Sequence, residues 1–112
     1  MKRRILVVTI ACGAVLSLAQ LVSAQDAKKG EQVYTARKCA NCHSIAGKGQ
    51  AKGPLDGMGS KLSAAEIREW LVNPKEMATK AKATRTPGMP TYKSLPPADL
   101  DALVAYIQSL KK

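Results

Sequence analysis

The sequence predicts an all-α domain of three main helices, and three observations carry that expectation. Leu100, Leu103, Val104, Ile107 and Leu110 recur at the spacing of one helical face near the C-terminus. Ser63-x-x-Glu66 is a capping box, set directly before a second apolar face of Ile67, Trp70 and Leu71. Asp26 opens a third stretch that can run as a helix to about Lys38, and no βαβ pattern interrupts the three.

The chain has 112 residues, enough for one domain. Its first stretch reads as a leader. Lys2, Arg3 and Arg4 precede an uncharged apolar run from Ile5 to about Leu18, and Val22-Ser23-Ala24 supplies small or apolar residues for cleavage. The run is shorter than the ~20 residues that span a bilayer, which argues against a retained anchor. Cys12 lies inside the run, and we read it as filler rather than a lipid site. The expected organisation is a signal peptide over 1–24 and one domain over 25–112. Cleavage would shed three of the 18 Lys+Arg and none of the 8 Asp+Glu, so the formal net charge falls from +10 to +7. It would also leave two cysteines, Cys39 and Cys42.

A domain of that size buries a modest core and usually needs a staple or a cofactor. This one has no Phe, and its aromatics are Tyr34, Trp70, Tyr92 and Tyr106. Cys39-Ala40-Asn41-Cys42-His43 suggests what fills the gap. A Cys-x-x-Cys-His run reads as a c-type haem attachment site. Two thiols three positions apart reach the two vinyl groups on one porphyrin edge and form thioethers. The adjacent imidazole then meets the iron from one side. A redox Cys-x-x-Cys would follow a strand in a βαβ unit, and a zinc site would need more Cys or His than the processed chain holds.

Along the chain, the first helix carries Gly30 and Tyr34 on one face. Gly30 is either a weak spot, costing ~1 kcal/mol relative to Ala, or a place where another helix comes close. Residues 44–61 read as a glycine-rich loop. Within it, Gly53-Pro54-Leu55 is a turn on spacing alone, although a proline carbonyl could orient a metal-binding imidazole. The middle helix, Leu62 to Val72, starts at the capping box, with Leu62 and Ile67 as a hydrophobic staple, and stops before Pro74. Trp70 suits the core, and its indole N–H could also meet a haem propionate. Residues 74–97 lack a sustained period, apart from a possible turn near Lys75 to Thr79. In this stretch Pro87-Gly88-Met89-Pro90 would hold one thioether stiffly. The last helix runs from about Pro97 to Leu110, with Asp99 and Asp101 near its positive end.

Taken together, these residues resemble a small class I cytochrome c of the bacterial periplasmic type, over about Asp26 to Leu110. The resemblance implies a cytochrome c fold, three main helices wrapped around one covalently attached haem. It implies that Gly30 and Tyr34 cross Ala105-Tyr106-Ile107 of the last helix, and that the Pro54 carbonyl bonds the free nitrogen of His43. Trp70 to Pro74 resembles the family's Trp-x-x-Asn-Pro stretch, and Met89-Pro90 its axial-methionine signature. The Pro96-Pro97 start of the last helix departs from the more usual Ser/Thr cap.

His43 is the only histidine, so two histidines of one molecule cannot ligate the iron. The remaining candidates are Met58, Met77, Met89 and the lysines. Met77 serves equally well as core cover. Met58 follows His43 too closely to cross easily to the other haem face, and Met89 is favoured. The expected site is therefore Cys39, Cys42, His43, Met89, Pro54 and Trp70, with His43 and Met89 on the iron of one haem c. With both axial positions filled, the expected function is single-electron transfer by a periplasmic monomer that is not an enzyme. A haem subunit of a larger oxidoreductase and an open-site haem enzyme such as a peroxidase are the alternatives. A thiol- or metal-based module would show no haem spectrum. Lys38, Lys48, Lys52, Lys80, Lys82, Arg85 and Lys93 flank the motif or the Met89 stretch. They would either steer acidic redox partners or form a generally solvated basic surface. Neither nucleic acid nor stable membrane insertion is expected of the processed chain.

Overall fold

The computed structural model describes residues 26–112, so the expected leader and Cys12 lie outside the described residues. Helix α1 covers residues 26–36, and Asp26, expected as its cap, is already helical. Bonds from Arg37 N to Val33 O and from Lys38 N to Thr35 O close it, two residues before the expected end. Lys38 then turns left-handed at φ 57° and leads into a 3-10 turn, Cys39–Asn41.

The loop expected over 44–61 holds more order than its glycines suggest. Strands β1 (Ser44–Ile45) and β2 (Lys48–Gly49) form a minimal antiparallel hairpin. Helix α2 (Met58–Lys61) follows, its Gly59 N–H bonding the Leu110 carbonyl at 2.8 Å. Helix α3 spans Ala64–Val72 behind the expected capping box: Glu66 N–H donates to Ser63 Oγ, and Ser63 N–H to Glu66 Oε1. Pro74 does end this helix, but it also begins another, α4 (Pro74–Lys80), where the sequence suggested at most a turn. Proline at the first helical position loses no bond that a helix would have made there. Helix α5 spans Pro97–Ser109 from Pro96, with no side-chain cap.

The core joins Val33 and Tyr34 of α1, Ile67 and Leu71 of α3, Leu95, and Leu100, Leu103, Val104 and Ile107 of α5. Leu103 is 1% exposed. Truncating such a leucine to alanine costs about 2–5 kcal/mol. The structure decides the reading of Gly30. A Cβ there would overlap the Ala102 carbonyl oxygen of α5 and crowd Tyr106, so the glycine is the contact point of two crossing helices. Lys29–Asp99 and Arg68–Asp101 pairs bind α1 and α3 to α5 at the surface, where each contributes well under 1 kcal/mol. Among the described residues, no helix is long and apolar enough to cross a membrane.

Candidate cofactor site

The Cys39–His43 run is wound tightly. Cys42 N–H and His43 N–H both donate to the Cys39 carbonyl, at 3.1 and 2.9 Å. A 3-10 turn has about three residues per revolution, so positions 39 and 42 fall on the same side. Cys39 is half-buried, Cys42 is exposed, and both are free thiols. Burial pushes the Cys39 thiol up, partly offset by a bond to its own backbone; Cys42 adds to the rise.

His43 Nδ1 lies 3.0 Å from the Gly53 carbonyl oxygen. A carbonyl only accepts, so Nδ1 carries the proton, and the neutral ring keeps Nε2 free for a metal. The family resemblance implied Pro54 for this role; the carbonyl belongs instead to the residue before it. The reason is the local pairing. Ser44 N–H donates to Gly53 O and Leu55 N–H to Ser44 O, at 3.0 and 2.9 Å, around a parallel bridge between Ser44 and Pro54. Successive carbonyls of an extended segment point opposite ways, so Gly53's faces His43 and Pro54's does not. Burial holds the His43 imidazole below its ordinary range, against the pull of the Gly53 carbonyl; the Arg85 charge lowers it further.

A cavity of about 430 Å³ opens beside this turn. Its wall includes Cys39, His43, Trp70 and Met89, so four of the six expected site residues meet there; Cys42 and Pro54 do not line it. Met58 lines it as well, whereas Met77 does not. Leu55, Leu62, Ile67, Leu71, Leu103 and Ile107 make most of the remaining surface apolar. Such a volume lies within the ~300–1,000 Å³ of ligand pockets. Tyr34 also lines it, and its buried hydroxyl has no hydrogen-bond partner among the described residues. Burial, with the neighbouring Cys39, Tyr106 and Asp56, pushes that phenol up to about 12.

The Met89 side of the cavity is held by anchors that sequence reasoning missed. Pro74 stops α3, which leaves the last carbonyls of that helix without their usual donors. Tyr92 N–H meets the Leu71 carbonyl at 2.8 Å, and Thr91 Oγ1–H meets the Val72 carbonyl at 2.7 Å. The signal was present: a helix cut by proline needs donors from elsewhere, and a Thr beside the methionine stretch can supply one.

The residues fit a covalently held porphyrin. Two thiols stand three positions apart on a tight turn, one of them at the cavity wall, an imidazole is fixed with one nitrogen free, and a thioether and an apolar cavity complete the set. Among the described residues, no group of three or more His, Cys, Asp or Glu side chains could hold a metal ion, so a zinc site has no ligand set there.

Comparison with known proteins agrees. A family model, Cytochrome c, matches residues 27–111. The cytochrome c oxidase subunit 2 of Alkalihalophilus pseudofirmus is 29% identical over 94 residues, which cover 76% of this chain and 26% of that protein. The chain thus spans about a quarter of the length of that relative. No solved structure matches it.

Proposed function

The chain belongs to the cytochrome c family, whose members are electron carriers with covalently attached haem c, and from that premise we propose that it carries single electrons in the periplasm. Bound in the cavity, haem c supplies a one-electron ferrous–ferric couple. Cys39 and Cys42 would anchor it through thioethers. His43, oriented by the Gly53 carbonyl, and Met89 would hold its iron. Trp70 stands at the wall as a partner for a propionate, and the aliphatic wall keeps water out. If both residues held the iron, no position would be left for substrate, which favours a carrier over an enzyme.

The observation that carries this reading is the 3.0 Å contact of His43 Nδ1 with Gly53 O at the edge of a cavity shared with Cys39 and Met89. Export follows from the leader expected over residues 1–24. The processed protein would be a monomer that docks on acidic redox partners.

A second reading has its own support. The oxidase-subunit relative is matched over a quarter of its length, as expected if this chain were the haem subunit of a larger complex. The deciding experiment is the visible spectrum of the exported protein, oxidised and reduced, with a pyridine haemochrome assay and carbon monoxide. A c-type spectrum unmoved by carbon monoxide is expected. A carbon monoxide shift would favour an open-site enzyme, and no haem spectrum would sink both readings. Co-purification with an oxidase from its own host would favour the subunit.

A further inference from the structure

Arg85 belongs to the stretch that leads from α4 to Met89, yet its guanidinium lies over the turn that holds His43. A Cβ placed on Gly53 would overlap Arg85 Nη1 and the Cys42 carbonyl oxygen, and would stand 3.1 Å from His43 Nδ1. The absence of a side chain at Gly53 therefore leaves a slot beside the imidazole, and the end of Arg85 occupies it. Neither of the two ion pairs among the described residues includes Arg85, so no carboxylate there cancels its charge.

We propose that Arg85 is a positioning residue that ties the Met89 segment to the His43–Gly53 turn and, by its uncancelled charge, favours the reduced state of the site. The proposal rests on the reading of His43 and Met89 as axial ligands. Oxidation adds one positive charge, and a fixed cation nearby opposes that addition. Arg85 is exposed, so water and salt weaken the effect without abolishing it. Arginine suits the slot better than lysine, because its flat, rigid fork can lie against a backbone turn while keeping its charge.

The test is a redox titration of the holoprotein at low and high salt, for wild type, Arg85→Gln, Arg85→Lys and Lys80→Gln. Lys80 is an exposed cation at the end of α4, and the control for general surface charge. Arg85→Gln should lower the midpoint potential, by an amount that shrinks as salt is added. Arg85→Lys should restore most of the loss, and Lys80→Gln should shift the potential less. In a denaturant series, Arg85→Gln should also lose its sulfur-to-iron charge-transfer band earlier than wild type. An unchanged potential in Arg85→Gln overturns the proposal, as does an equal fall in Arg85→Lys or Lys80→Gln. The wild-type spectrum separates the two kinds of failure. If it lacks the sulfur-to-iron band, the ligand reading falls and the proposal with it. If the band is normal and the potential does not move, the proposal falls alone.

Discussion

Tyr34 and Tyr106 meet edge to face, their ring centroids 5.7 Å apart and their planes inclined at 64°. The pair sits one turn along α1 from Gly30, the residue that lets α1 and α5 touch. An edge-to-face pair contributes about 0.5–1.5 kcal/mol beyond the area it buries. The crossing also shapes the site, because Tyr34 from α1 and Leu103 and Ile107 from α5 all face the cavity. Packing of the first and last helices thereby sets one wall of the cavity.

Gly30→Ala should destabilise the protein. Alanine would gain ~1 kcal/mol of helix propensity. Its methyl would meet the Ala102 backbone, which cannot swing aside as a side chain does, and overpacking typically costs about 1–3 kcal/mol. Urea unfolding of the holoprotein should show a lower midpoint. Unchanged stability would mean that the helices separate at no cost.

Loss of the thiols should act on cofactor retention. Cys39→Ala or Cys42→Ala should each lower the holoprotein yield, and the double change should leave no haem bound through denaturation. The porphyrin is assigned much of the core of a small, aromatic-poor domain. A double variant that folds normally without haem would therefore undermine the account of the cavity as well as of the attachment.

What could be read in advance follows physical rules that act locally. The α3 cap was legible because Ser63 and Glu66 satisfy each other's backbone over three residues. The α5 face was legible from its period. The meaning of Gly30 was not, because a glycine looks the same whether solvent or a second helix lies opposite. Helix α4 is not legible in advance because a proline that stops one helix suits the first position of the next equally well. The carbonyl that orients His43 was placed one residue late, since the alternation that selects Gly53 depends on a bridge to Ser44, invisible in the sequence. At the site, the motif residues were legible by type, whereas the Thr91 and Tyr92 anchors depend on where α3 happens to end.

Electron transfer to an acidic partner should slow as salt is added. The residues from 25 onward carry seven more basic than acidic side chains, and such an excess raises the encounter rate only while the charges are unscreened. Stopped-flow rates between low and high ionic strength would measure it. Rates that stay flat would leave the lysines as an ordinary solvated surface.

The methionine series tests the sixth ligand. Met89 and Met58 both line the cavity and Met77 does not, so Met58 is the real competitor. Met58 starts the short α2, tied through Met58 N–H to the Leu55 carbonyl at 3.1 Å, on the side of the chain that follows His43. Met89 lies in the stretch that follows α4, two and three residues ahead of the Thr91 and Tyr92 anchors on α3. Held at one end by those bonds and stiffened by Pro87 and Pro90, its thioether should need little further ordering to meet iron. A neutral, soft sulfur raises the potential relative to water or a harder ligand. Met89→Ala should therefore lower the midpoint potential, admit carbon monoxide to the reduced protein and remove the sulfur-to-iron charge-transfer band. Met58→Ala and Met77→Ala should keep that band. Should Met58→Ala erase it while Met89→Ala does not, the ligand would come from α2, and the anchors on α3 would hold only a flap over the cavity.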